Sequence, residues 1–239
     1  MERTERDKTR DAIFFILKLA AVSFILTLAA IVLNYIGTSI RKSDSGAEVA
    51  GSSPGMFARG TLRVVVDAGH GGRDGGAVSI TGTPEKTLNL EISLTLAELL
   101  RTIGVDAIET RTTDSAVGGE APKGMRKMSD LRGRLLIAQA NPDALFVSIH
   151  MNKFPGPQSK GLQVWYSKND ERSKALAEYF RSATVTLLQP DNNRHIKPAD
   201  SRIYLMHRAV SPAITVECGF LSNLDEIGRA SCRERVSNC

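Results

Sequence analysis

Four residues could carry out hydrolytic chemistry if the fold brings them together: His70, Glu85, His150 and Glu217. Two imidazoles and a carboxylate are a standard ligand set for catalytic zinc, with a fourth position left for water. Such an ion lowers the pKa of its water from about 15.7 towards about 7 and polarises a carbonyl, so an amide can be attacked near neutrality. A further carboxylate is then needed to take the water's proton and deliver it to the leaving amine. On that scheme His70, Glu85 and His150 are the ligands and Glu217 is the general acid and base. Each residue also has an ordinary reading. A histidine after a strand is commonly a satisfied polar residue, and Glu85 suits the first turn of a helix, where the macrodipole favours a carboxylate. Glu217 is harder to explain away, because a charge inside AITVECGFL would be buried unpaired at a cost. No HExxH or CxxC motif makes any ligand pair local.

The elements around these residues say whether they can meet. Residues 62–66 form a short apolar run rich in β-branched side chains, which predicts a buried strand. Behind it, 64-VVVDAGHGGRDGGAV-78 turns through five glycines, which can make a tight turn or clear space around His70. Pro84, with apolar residues at 88, 92, 96, 99 and 103 and then Gly104, predicts a helix with ordinary start and stop signals. Strands are expected at 105–110, 145–150, 161–166 and 213–217. Helices are expected from a cap at Ser129 or Asp130 to Ala140, and over 174–188. This alternation predicts an α/β fold: a single open, mainly parallel twisted sheet with helices on both faces. Ligand sites in such sheets lie beyond the carboxyl ends of strands, where His70, His150 and Glu217 all fall, and Glu85 can swing over the same edge.

Other candidates are weaker. His195 and His207 are expected on the surface or in a substrate groove. Ser148 should face away from Val147 and Ile149, with no G-x-S-x-G elbow around it, and Cys218 should be a small packed hydrophobe.

With 42% apolar and 24% charged residues, the 239-residue chain can bury a core as one domain with an appendage. The appendage is residues 12–36, an apolar run holding one charge, Lys18. Its stretch 19–36 would span roughly 27 Å as a helix, close to the hydrocarbon thickness of a bilayer. Arg3, Arg6, Lys8 and Arg10 precede it and only Arg41 and Lys42 follow closely. The expectation is therefore a cytoplasmic tail (1–11), a transmembrane helix or uncleaved signal (12–36) and a linker (37–60), with the catalytic domain (61–225) outside the cytoplasmic membrane. A secreted, cleaved form is the alternative. The final string EIGRASCRERVSNC follows no period and resembles the in-frame translation of a sequencing-library adapter. Residues 226–239 are thus expected to lie outside a carboxy-terminally truncated domain that lacks a terminal helix. Two of the three cysteines fall there, so no disulfide is expected. The net charge of +5 is too low for a nucleic-acid binder.

Taken together, DAGHGGRDGGAV, EKTLNLEISLTLAELLRTIGVDAIETR, FVSIHMN and TVECGFLSN resemble the zinc-dependent N-acetylmuramoyl-L-alanine amidases of bacterial cell-wall turnover. The resemblance implies zinc on His70, Glu85 and His150, with Glu217 catalytic. It implies cleavage of the amide between the lactyl group of N-acetylmuramic acid and L-alanine of the stem peptide. Asp67, Asn152 and Arg111 are expected to support the ligands or line a substrate groove, and Asp74 to be a surface turn residue. EAPKGMRKMSDLRGR and RIYLMHRAVSPAITVECGFLSN resemble the germination-specific, spore-cortex branch of the family. That branch implies a role in muramic δ-lactam formation, a site between the forespore and mother-cell membranes, and an accessory lipoprotein in some relatives. Ala68 stands where the family usually has proline. The competing functions are a zinc carboxypeptidase or deacetylase on wall peptides, or a wall-binding module without catalysis.

Overall fold

The structure, a computed structural model, describes residues 62–119 and 121–230. The segments 1–11, 12–36 and 37–60 lie outside the described residues, as does 231–239. Among the described residues no helix is long and apolar enough to cross a membrane.

Six strands and five helices follow in the order β1 (Arg63–Ala68), α1 (Glu85–Thr102), β2 (Asp106–Glu109), α2 (Arg126–Gln139), β3 (Leu145–Asn152), β4 (Gln163–Tyr166), α3 (Arg172–Leu187), β5 (Lys197–Pro198), α4 (Tyr204–Arg208), β6 (Ala213–Phe220) and α5 (Leu224–Ala230). They build one sheet ordered β2-β1-β3-β6-β4-β5. Strands β2, β1, β3 and β6 are mutually parallel, and β4 pairs antiparallel with β6 while β5 runs parallel to β4. The sheet is mixed, because β4 and β5 run opposite to the other four strands.

Strand alternation explains the two layers. Val64 and Val66 of β1 and Val147 and Ile149 of β3 face one cluster, with Leu96, Ala97 and Leu100 of α1 and Leu176, Ala177 and Phe180 of α3. Val65 and Phe146 face the other way, against Leu135 and Ala138 of α2 and Leu205 and Met206 of α4. Helices therefore cover both faces, which is why β1 and β3 read as continuous apolar runs rather than as alternating ones.

Some boundaries depart from the sequence reading. Met125, not Ser129 or Asp130, stands at the start of α2. Both expected caps lie inside the helix, and the Asp130 carboxylate instead accepts from the Val117 amide at 2.6 Å and from Arg134 Nε at 2.7 Å. The expected domain end at 225 falls within α5. There Glu226 and Ile227 are buried, and Glu226 Oε2 accepts from the Gly161 amide at 2.9 Å and the Phe220 amide at 3.2 Å.

Candidate functional site

The parallel strands deliver their carboxyl ends to one edge, and the site stands there. His70 follows β1 by two residues. His150 and Glu217 are register partners on the adjacent strands β3 and β6. Glu85 is the first residue of α1, with Pro84 as its extended N-cap at φ −68° and ψ 144°. Its side chain turns back from the helix into the sheet edge, where Oε2 accepts from the Ala77 amide at 3.0 Å and Oε1 from the Met151 amide at 3.2 Å.

Two imidazoles bracket this carboxylate. His70 Nε2 lies 3.2 Å from Glu85 Oε2, and His150 Nδ1 lies 3.0 Å from Oε1. The rings meet edge to face with centroids 5.0 Å apart. The donor atoms of all three residues fall within 4.8 Å of one another. Three nitrogen and oxygen donors from separate elements, converging on one point with solvent on one side, fit a divalent metal with an open coordination position. The same grouping sets the protonation. Burial opposes ionisation of Glu85, but His150 and His70 outweigh it and hold the carboxyl well below the usual carboxylate range. Burial likewise lowers the His70 pKa, yet the carboxylates of Glu85 and Asp74 carry it up to about 9.

The glycines do clear space. A methyl group on Gly69 would stand 2.4 Å from the His150 ring, and one on Gly76 would stand 2.6 Å from Glu85 Oε2 and 2.8 Å from His70 Cδ2. His70 itself has φ +61°, alone among the described non-glycine residues in being positive. Such a conformation persists only where the surroundings over-determine it. Here Arg134 Nη2 donates to the His70 carbonyl at 2.5 Å and Nη1 to the Ala68 carbonyl at 2.7 Å. Arg111 donates to the carbonyls of Ala68 at 2.9 Å and Gly69 at 3.0 Å. From the outside, Asp74 Oδ2 sits 3.0 Å from His70 Nδ1 and fixes which ring nitrogen faces Glu85.

Glu217 is treated differently. Its Oε2 is enclosed and has no hydrogen-bond partner among the described residues. Burial, only partly offset by His150 and then reinforced by Glu85, raises its pKa above the ordinary 4.5. It lines a cleft of about 240 Å³ together with His70, His150, Asp74 and Arg134. One end of that cleft holds two imidazoles and a carboxyl poised to exchange a proton, which is the equipment of metal-assisted hydrolysis.

Comparison with known proteins agrees. The family model Amidase_3, described as N-acetylmuramoyl-L-alanine amidase, matches residues 64–236. The chain belongs to that family. It is an amidase of peptidoglycan. It is 32% identical over 180 residues to the germination-specific N-acetylmuramoyl-L-alanine amidase of Bacillus subtilis, a match covering 73% of this chain and 75% of the relative. It is 34% identical to the amidase AmiA of Escherichia coli, over 88% of this chain and 85% of that one. Among solved structures, the CwlD amidase of Clostridioides difficile, determined in complex with the GerS lipoprotein, superposes with a TM-score of 0.66 at 36% identity. That match covers 70% of this chain and 86% of the other. The amidase AmiC2 of Nostoc punctiforme gives a TM-score of 0.61 at 34% identity, over 72% of this chain and 87% of that one.

The remaining sequence candidates of the amidase divide cleanly. Asp67 is fully buried and touches no ligand directly. It accepts from Thr110 at 2.7 Å, Ser148 at 2.6 Å and Arg134 at 2.5 Å. Arg111 is buried under the glycine loop. Asn152 ends β3 past an irregularity in register, where its carbonyl accepts from the Leu221 amide at 2.8 Å, and it does not line the cleft. His195 and His207 are exposed. Ser148 is committed to Asp67, and burial pushes the Cys218 thiol up to about 12, so neither is a nucleophile. Two roles went unread. Asp74 is the partly exposed turn residue expected, and it is also a partner of His70, a role for which its place four positions after the histidine was the available signal. Arg134 was visible as the second of two arginines in LRGRLLIAQA, the one followed directly by the apolar run.

Proposed function

We propose that the chain is a zinc-dependent, membrane-anchored amidase that strips stem peptides from the peptidoglycan of a spore cortex. The observation that carries the reading is the convergence of His70, Glu85 and His150 within 4.8 Å beside the unpartnered Oε2 of Glu217. Zinc held by those three residues would supply a Lewis acid for the scissile carbonyl and an acidified water. The chain's own residues do the rest. Glu217 takes a proton from the attacking water at Oε2. The lactyl carbon gains the oxygen, its bond to the L-alanine nitrogen breaks, and Glu217 returns the proton to that nitrogen. A carboxyl raised above its ordinary value is nearer to a working pH and so serves better in both directions. Asp74 holds His70 from behind, and Arg134 and Arg111 hold the loop that presents it.

Removing the peptide frees the lactyl carboxyl, which is the chemical prerequisite for closing a muramic δ-lactam. The germination-specific relative from Bacillus subtilis supports that role. The apolar run 12–36 with its preceding cations supports an anchor with the catalytic domain outside, between the two membranes of a developing spore. The solved complex of the Clostridioides difficile amidase with a lipoprotein supports an accessory lipoprotein there. The test is a muropeptide digest followed by mass spectrometry, with and without a chelator. Intact stem peptides should be released, release should stop with the chelator, and added Zn²⁺ should restore it. Loss of only a terminal amino acid or of acetate, or activity indifferent to the chelator, would overturn the reading. For the spore role, the full chain expressed in a spore former lacking its own amidase should restore δ-lactam to cortex digests.

A further inference from the structure

We propose that Lys127 and Arg202 form a cationic clamp that binds the free carboxylates of the stem peptide and makes the amidase select acidic over amidated stems. The proposal rests on the amidase reading and names what holds the peptide side of the substrate.

The two cations line the same cleft as His70, His150 and Glu217: Lys127 comes from the first turn of α2 and Arg202 from the loop before α4. Glu217 aside, the other charges of the cleft are already engaged. Arg134 is held by Asp67 and Asp130, and Asp74 by His70. Lys127 is exposed and makes no hydrogen bond or close ion pair among the described residues, although its charge acts across the cleft on Asp74, which His70 already holds. Its position is unfavourable for the helix, since a cation in the first turn opposes the macrodipole. Helix stability therefore gives no reason for a lysine there, and its charge acts on the cleft instead, where Asp74 already feels it. Arg202 is restrained but largely exposed. Asp200 accepts from its Nε at 2.9 Å and its Nη2 at 2.6 Å, which turns the guanidinium while leaving Nη1 with no partner among the described residues. Between the cations the wall is apolar, with Leu131, Ile203 and Leu205. Two cations over an apolar strip suit a short peptide carrying acidic groups. A bacterial stem peptide is that, because its second residue is a glutamate joined through its side chain, which leaves an α-carboxylate free, and its third is commonly a diamino acid with another.

The experiment compares steady-state cleavage of matched muropeptides whose second- or third-residue carboxylate is free or amidated. The wild type should cleave the free-acid substrate with kcat/KM about 10-fold higher, carried by KM rather than kcat, as one or two charge-assisted hydrogen bonds imply. Lys127→Ala with Arg202→Ala should bring the ratio between the two substrates close to one, and Lys127→Arg should keep it. Both residues are exposed, and a thermal unfolding midpoint within a degree or two of wild type would show that the fold is intact. Equal cleavage of acid and amidated stems by the wild type, or discrimination that survives in the double variant, would overturn the clamp while leaving the amidase reading standing. No release of stem peptide from either substrate would overturn both.

Discussion

Asp67 and Glu217 are carboxylates on the same face of one sheet, separated by strand β3, and their surroundings drive them in opposite directions. Asp67 accepts three hydrogen bonds, from Arg134, Ser148 and Thr110. Burial opposes its ionisation, but those partners outweigh burial and lower its pKa. Glu217 has two imidazoles near it but no donor on Oε2, so burial wins and its pKa rises. The same functional group becomes a fixed charge in one place and, in the proposed mechanism, a proton carrier in the other. Hydrogen-bond satisfaction decides which. The fixed charge serves the mobile one indirectly. Asp67 secures Arg134, Arg134 secures the His70 carbonyl, and His70 stands across the cleft from Glu217.

The largest effect should come from removing the proton carrier. Glu217→Gln keeps the shape and takes away the titratable oxygen, so kcat should fall by about 10²- to 10⁴-fold, the usual span for a lost general acid and base. Bound zinc, measured by elemental analysis of the purified protein, should stay at the wild-type level because the three ligands are untouched. Amidase activity within a few-fold of wild type would make Glu217 a structural carboxylate like Asp67, and the contrast would collapse.

Next is the fixed charge. Asp67→Asn leaves Arg134, itself 1% exposed, with Asp130 as its remaining anionic partner. Removing one member of a buried ion pair costs about 3–5 kcal/mol when nothing else compensates. With Asp130 present the loss should lie near the low end, about 3 kcal/mol by urea unfolding at neutral pH. A loss below about 1 kcal/mol would mean that Asp130 alone neutralises Arg134, and that Asp67 is as dispensable to the fold as the unpartnered carboxyl of Glu217.

What the sequence could disclose follows from how local each cause is. β1, α1, β3 and β6 were legible because apolar runs and helix punctuation are written in consecutive residues. The positions of the candidate ligands followed, since the carboxyl ends of parallel strands share an edge whatever the rest does. The reversed direction of β4 was not legible, because alternation is the same read either way. The five residues of α4 are too few to show a helical period. Asp130 looked like a cap because its type suits one. Its real partners are Val117, 13 positions back, and an arginine that reaches Asp67, 67 positions away. Contacts over such separations leave no trace in spacing. That is why the convergence of His70, Glu85, His150 and Glu217 on one sheet edge could be expected from sequence while the scaffold that holds His70 at a positive φ could not.

The smallest effect tests the contrast most directly, through stability rather than activity. In the metal-free protein the folded state holds the Glu217 proton more tightly than the unfolded chain does, because the folded pKa lies above the ordinary 4.5. The stability tied to this group is therefore fully present below about pH 4.5 and is lost as the pH rises through the folded value. Glu217→Gln removes the titration. With chelator present, the variant should be about 1 kcal/mol more stable than wild type at pH 8, with the gain shrinking towards zero as the pH falls to 4.5. The magnitude is the low end of the cost of leaving a buried polar group unsatisfied. Urea unfolding at the two pH values reads it. A gain that does not depend on pH would trace to packing rather than to the charge. A variant less stable than wild type at pH 8 would mean that the ionised carboxylate is stabilised in the folded protein, as Asp67 is, and that the two carboxylates are not opposites after all.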